Sequence, residues 1–199
     1  MRISKHVMNL ISRKVVVTPR LVSKALGVSL KQAQNALQYL LRTGRIRKIC
    51  WGLYTSFSDR RVIGCHIIPS YISFISALSL HGITTQITSI YSLATIHRVT
   101  ISENCLSNLG IRYIKIPKKA FLGYIWRPSN IDNGVYFIAE PEKAIADMIY
   151  ARYDPTRIPI DWSRINTKKL IRYSKYYPKR IHQKTLEIIS YVRRILTIS

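Results

Sequence analysis

The chain has 199 residues, with 32 Lys and Arg against 9 Asp and Glu, a formal charge of +23, and 47% apolar residues. That length and apolar share allow one or two domains around a real core and exclude a disordered or low-complexity protein. The three cysteines, Cys50, Cys65 and Cys105, are odd in number and lack a CxxC spacing. They indicate neither a disulfide framework nor a zinc site, and reduced thiols in a cytoplasmic protein are expected.

The charge is unevenly placed. Residues 1–64 hold 13 basic and 1 acidic side chain, residues 65–150 hold 7 and 5, and residues 151–199 hold 12 and 3. Two basic ends around a nearly neutral middle suit a polyanionic partner better than a generally solubilising surface. The uncharged run from Val62 to Ile96 is broken by Pro69, His81, Gly82 and many Ser and Thr residues. No piece approaches the roughly 20 continuous apolar residues of a spanning helix, so a soluble core and no membrane partner are expected. Residues 1–5 lack the apolar run of a secretion signal.

In chain order, residues 2–12 predict a helix with Ile3, Val7, Leu10 and Ile11 on one face, and Val15-Val16-Val17 a short strand. Thr18-Pro19 starts a second helix as N-cap and first-turn proline, with Leu21, Val22, Ala25 and Leu26 inward and Gly27 at its end. Ser29 caps a third, with Leu30, Ala33, Leu37, Leu40 and Leu41 inward and Gly44 stopping it. Residues 45–54 predict two short strands turning near Gly52. Two helices across a four-residue turn, then a cationic hairpin, spell a winged helix-turn-helix at residues 1–60 and predict duplex DNA as partner.

Residues 61–199 predict a mixed α+β domain. Phe57 to Ile63 is expected as the joint, and Ser70 is expected to cap a helix to Leu80 with Tyr71, Phe74, Ile75 and Leu78 inward. Strands are predicted at 90–96, 98–101, 111–116, 121–126 and 134–139, then a helix from Pro141 to about Tyr153. Basic amphipathic helices at 167–176 and 178–196 complete a helical C-terminal end, from about residue 155. The fold class is therefore α+β.

On the third helix the face opposite the core carries Lys31, Gln32, Gln34, Asn35, Gln38 and Arg42. Amides pair with adenine N6 and N7, and Lys or Arg with guanine or phosphate, so Lys31, Gln34, Asn35 and Gln38 are the candidate base contacts. Arg42, Arg45, Arg47, Lys48, Arg60 and Arg61 are the candidate phosphate contacts. Neutralising about 6 phosphates gives a log–log salt slope of about −5. Trp51 is expected to pack beneath the wing. Lys168, Lys169, Arg172, Lys175, Lys179 and Arg180, interleaved with Tyr173, Tyr176 and Tyr177, make a second candidate surface for DNA, RNA or an acidic protein.

Catalytic patterns are sparse. His66, His81 and His97 fall near the ends of separate elements with no carboxylates at metal-ligand spacing, and Glu140, Glu142 and Asp147 surround one helix start. There is no phosphate-binding glycine loop or nucleophile elbow, so no enzyme, metal or cofactor is expected. A nuclease or transferase using the 140–147 region remains the enzymatic alternative.

The run Pro69-Ser70-Tyr71-Ile72-Ser73-Phe74-Ile75-Ser76-Ala77-Leu78-Ser79-Leu80-His81-Gly82 resembles the P-x-Y-I-S-x-x-S-A-L-x-x-H-G pattern of the AbiEi-type antitoxin family. Residues 139–147, A-E-P-E-K-A-I-A-D, look like its A-x-P-E-K-A-x-x-D signature, and Phe121-Leu122-Gly123-Tyr124 is similar to its F-x-G-Y strand. Gly52-Leu53-Tyr54 is like the G-x-Y that ends the family's wing. The resemblance spans roughly residues 1–155 and implies a type IV antitoxin: a DNA-binding protein that represses its own operon, with a nucleotidyltransferase-like toxin countered without a stable complex; an inverted repeat in its own promoter is the expected operator. The basic end after Asp154 is the least typical part. The alternatives are an RNA-binding module and a stand-alone DNA-binding regulator without a toxin.

Overall fold

The computed structural model describes residues 2–198. The head comprises α1 (Arg2–Lys14), β1 (Val16–Val17), α2 (Pro19–Leu26), α3 (Leu30–Arg42), β2 (Arg47–Cys50) and β3 (Leu53–Thr55). The strands form an antiparallel sheet in the order β1-β3-β2, so the segment before the helix pair is stitched to the wing. Thr18 Oγ1 accepts from the Leu21 N–H, Pro19 fills the first turn, and Gly27 takes the left-handed conformation at φ 63° that ends α2. A reciprocal capping box between Ser29 and Gln32 starts α3. Val7, Ile11, Val17, Val22, Leu37, Leu40 and Tyr54 form the head's own core. Two expected core positions differ: Ala25 and Leu30 are exposed, and Ala36 takes the inward place. Leu30 is the first residue of α3, beyond the reach of α1.

The second body contains α4 (Arg60–Ile67), β4 (Ser70–Ile72), α5 (Phe74–Leu80), β5 (Tyr91–Thr95), α6 (Glu103–Asn108), β6 (Ile111–Lys115), β7 (Tyr124–Pro128), β8 (Val135–Ala139), α7 (Pro141–Tyr150), α8 (Thr167–Ser174) and α9 (Lys179–Ile198). Its sheet runs β6-β5-β4-β8-β7, with β5–β6 and β4–β8 parallel and the other pairs antiparallel. The chain is thus α+β, with a helical C-terminal end.

Side-chain direction separates the sheet's two faces. Ser70 Oγ and Tyr113 OH donate to the Gly64 carbonyl of α4, and Ile111 and Leu93 crowd Gly64 at 3.1 and 3.2 Å from an added Cβ. Tyr71, between Ser70 and Ile72, points the other way, toward α7. α8 and α9 stack on α7, while β1 of the head touches α4.

Several predicted elements are corrected. Ser70 does not cap a helix; Ser70–Ile72 is a buried strand and α5 begins only at Phe74, whose φ of 58° turns the chain from one to the other. The joint is shorter than Phe57–Ile63, because Asp59 Oδ1 accepts from the Arg61 N–H and starts α4. No strand forms over residues 98–101, which lead into α6, and the 121–126 strand is shifted to Tyr124–Pro128.

The body is organised around one carboxylate. Asp147, fully buried in α7, accepts from Lys143 Nζ at 2.6 Å, Ser73 Oγ at 2.6 Å, Tyr71 OH at 3.2 Å and Tyr177 OH. Lys143, 1% exposed, also donates to Tyr177 OH at 2.6 Å. Burial pushes the Lys143 ammonium below its ordinary value while Asp147 pulls it back. Burial, then the Asp147 charge, raises both tyrosines far out of titration range, so they remain donors. Asp147→Ala leaves a buried ammonium without its counter-charge and three hydroxyls without their acceptor. It is expected to cost about 3–5 kcal/mol in urea unfolding, with Lys143→Met/Asp147→Leu costing less than the single change.

Candidate nucleic-acid interface

On α3, Ala33, Ala36, Leu37 and Leu40 face the core, leaving Lys31, Gln34, Asn35, Gln38 and Arg42 exposed. The spacings 31, 34, 35, 38 and 42 put all five on one helix face. Gln38 Nε2 lies 3.5 Å from Tyr54 OH, which ties that end of the face to the wing strand. The four predicted base-contact residues are therefore brought together, in solvent, on a helix anchored by its capping box.

Arg45, Arg47 and Lys48 are exposed along the wing. Arg47 is also a brace: its Nε donates to the Phe57 carbonyl at 3.0 Å and its Nη2 to that of Ser58 at 3.1 Å. Trp51 corrects the expectation that it packs beneath the wing. It is 92% exposed at the hairpin tip, where Gly52 adopts φ 74°, and Lys48 Nζ sits 4.9 Å from its ring centroid. The Trp-Gly pair at a two-residue turn was the available signal, since a tip residue has no layer beneath it.

Arg61 is placed elsewhere. Its guanidinium, 13% exposed, forms a paired contact with Asp59 at 2.7 Å, donates to Asn130 Oδ1 at 2.6 Å and lies over the Tyr136 ring. Burial acts to raise the Asp59 carboxyl, but hydrogen bonds from Arg61 and Ser129 outweigh it and hold the group below the ordinary range. Arg61 is thus committed inside the body. Arg60 is exposed but spans the Tyr91 ring and reaches the Ser89 carbonyl at 3.5 Å.

In the C-terminal set, Lys168, Arg172, Lys175, Lys179 and Arg180 are exposed, whereas Lys169 pairs with Glu140 at 2.6 Å. The interleaved tyrosines are not a stacking row. Tyr173 is buried and donates to Glu140, Tyr177 is buried against Asp147, and Tyr176 alone of the three is exposed, at 41%. Burial acts to raise the Glu140 carboxyl, but Lys169 and Tyr173 together depress it.

Of the histidines and acidic residues singled out by the sequence, His66, His81 and Glu142 have structural partners. His66 Nδ1 meets the Val62 carbonyl at 2.8 Å, and His81 Nε2 the Ala139 carbonyl at 2.8 Å. Glu142 accepts from the Asn166 N–H at 3.0 Å. Among the described residues no group of three or more His, Cys, Asp or Glu is placed to hold a metal ion, and no helix is long and apolar enough to cross a membrane.

No family model and no curated protein matches the chain. Among solved structures, the crystal structure of the Rv2827c protein from Mycobacterium tuberculosis superimposes over 94% of this chain and 77% of that one, with a TM-score of 0.52 at 14% identity. The likeness extends through head and body and is one of fold.

The depressed carboxyls of Asp59 and Glu140 fix an acid limit. A folded pKa below the unfolded one contributes stability that is complete above the unfolded value and lost as pH falls through the folded value. Thermal midpoints should therefore fall steeply as pH drops below about 4. Asp59→Asn should lower the midpoint at neutral pH and flatten that fall.

Proposed function

We propose that the protein is a sequence-specific DNA-binding repressor acting at an inverted repeat in its own promoter. The observation that carries this reading is the exposed face of Lys31, Gln34, Asn35 and Gln38 on α3, beside a wing presenting Arg45, Arg47, Lys48 and Trp51. A helix about 10–12 Å across with amide side chains on its free face fits the major groove and can read adenine edges. Arg42 and the wing cations hold the backbone on either side. Trp51 is an apolar wedge at a cationic tip, suited to lie against sugars or open a base step in the minor groove.

The reading extends to the antitoxin of a type IV toxin–antitoxin system. Its support is that residues carrying the AbiEi resemblance, Tyr71 and Ser73 from the first signature and Lys143 and Asp147 from the second, meet in one network. Motifs about seventy residues apart are thereby explained by one physical requirement. The partner would be a nucleotidyltransferase-like toxin encoded by a neighbouring gene, and relief of its toxicity on co-expression is the test.

The decisive measurement for DNA binding is a mobility-shift titration on the chain's own upstream duplex against random duplex and single-stranded RNA. Preference for the upstream duplex by about a thousandfold is expected, and equal binding to all three would end the repressor reading. Alanine at Gln34, Asn35 and Gln38 together should flatten the preference while leaving random-duplex affinity within about twofold.

With Arg60 and Arg61 engaged in the body and Arg47 bracing the joint, Arg42, Arg45 and Lys48 should neutralise about 3 phosphates, giving a log–log salt slope of about −3. Arg61→Gln should leave that slope unchanged but lower the urea midpoint. Trp51→Ala should do the reverse: no change in stability and an affinity loss of about tenfold, or 1.4 kcal/mol. A loss of stability instead would return Trp51 to a packing role.

A further inference from the structure

The face of the sheet opposite α4 carries a cationic cleft that the DNA reading does not use. Its cavity, about 330 Å³, is lined by Arg112 and Lys115 of β6, Arg152 after α7 and Arg180 in the first turn of α9, with Tyr150 and Tyr153 between them. Arg112 alternates with Ile111 and Tyr113, which face α4, and so projects to the α7 side with the rest of the cleft, whereas Lys115, of the same parity as Ile111 and Tyr113, touches only the rim at the end of β6. All four cations are exposed, and among the described residues none has a hydrogen bond or ion pair with the protein and no carboxylate lines the cleft. Where a cation is withdrawn from solvent the chain pairs it, as at Arg61–Asp59, Lys143–Asp147 and Lys169–Glu140.

Two further features favour an anion at this place. Arg152 holds a left-handed backbone at φ 65°, at a helix end where glycine is the usual residue, and so keeps a guanidinium at strained geometry on the cleft wall. Arg180 stands at the N-terminus of the 20-residue α9, whose dipole adds positive potential on the same side. The volume lies in the roughly 300–1,000 Å³ range of small-molecule sites.

We propose that this cleft binds a phosphorylated small molecule of nucleotide size. Its phosphates would be held by Arg112, Arg152 and Arg180, and its ring would lie against Tyr150 and Tyr153. The site is separate from the α3 face, so it stands whether or not the head reads DNA. An effector pocket on the body of a DNA-binding protein is the regulatory use it suits.

The test is calorimetric titration of the full-length protein with ATP, tripolyphosphate and adenosine at about 0.15 M salt, where long-range attraction is screened beyond about 8 Å. Saturable one-to-one binding of ATP is expected, with tripolyphosphate weaker and adenosine weakest. Arg112→Gln/Arg180→Gln should weaken ATP by at least about tenfold, and Lys168→Gln/Lys175→Gln, which removes the same charge from α8 and its C-cap, by less than about twofold. Equal weakening by both variants would overturn the proposal in favour of diffuse charge. Tripolyphosphate binding as tightly as ATP would overturn the nucleotide assignment and leave a polyphosphate site. If ATP does not bind but the Arg112/Arg180 variant loses affinity for random duplex, the cleft is a DNA-backbone contact and the proposal fails. Circular dichroism of each variant separates these outcomes from misfolding.

Discussion

The body depends on a charge that water cannot reach. An ionised carboxylate in an apolar interior is prohibitively costly unless its lone pairs are filled, and Asp147 has two donors on each oxygen. Those donors come from β4, the turn before α5, α7 itself and the turn before α9. Each element must be in place before the carboxylate is satisfied. The network therefore fixes how the C-terminal helices seat on the sheet, not only how tightly. It also removes Asp147 from contact with solvent, so its role is to hold the core together.

A second constraint holds the head. Thr55 Oγ1, fully buried, donates to the Val15 carbonyl at 2.7 Å and accepts from the Phe57 N–H at 3.0 Å. One hydroxyl thus locks the end of β3 to the start of β1 at the exit from the head. Val15 is β-branched at φ 62°, an expensive backbone conformation that lets α1 end abruptly and sends its side chain into the body's core rather than the head's. On the other side, Asp132 Oδ2 accepts from the N–H groups of Ser58 and Asp59 at 2.7 and 2.8 Å. With Arg47 donating to the Phe57 and Ser58 carbonyls of the same segment, head and body meet through specific polar contacts. The orientation of α3 relative to the body is accordingly set by the joint.

How much of this was legible in the sequence depends on whether a residue's reason for being there is local. The caps at Thr18 and Ser29, the Gly27 stop, the alternation of 111–116 and 135–139 and the proline opening α7 act within a few residues, and each element formed where they indicated. β4 was hidden because a three-residue strand buried on both faces has no alternation, and its Ser and Tyr mimic a capped helix start. α4 was hidden because Val62 to Cys65 are all buried, which erases the polar face that marks a helix. Site residues follow the same rule. Lys31, Gln34, Asn35 and Gln38 could be placed from helical period alone. The commitment of Arg61 to Asp59 and Asn130, and of Tyr173 and Tyr177 to Glu140 and Asp147, was set by partners 2 to 69 residues away in the first case and about 30 in the second.

The sheet also resolves what the two basic ends cannot do together. The head joins the body on the α4 side, whereas α8 and α9 stack on α7 across the sheet. If the head reads DNA as proposed, the joint places the body's sheet on the α4 side, next to the head, and α9 with Arg180 on the α7 side. Bending a duplex around the body would cost on the order of 1–6 kcal/mol for 40–90° of smooth curvature. That cost has to be recovered from exposed phosphate contacts, each screened at physiological salt. A body-side anion of its own is the less costly way to occupy unpaired cations held on three separate elements. On the proposed reading the cleft draws on both the near-neutral middle, through Arg112 on β6, and the basic C-terminal end, through Arg180 on α9, so the sheet serves as a wall of the site as well as a spacer from the head.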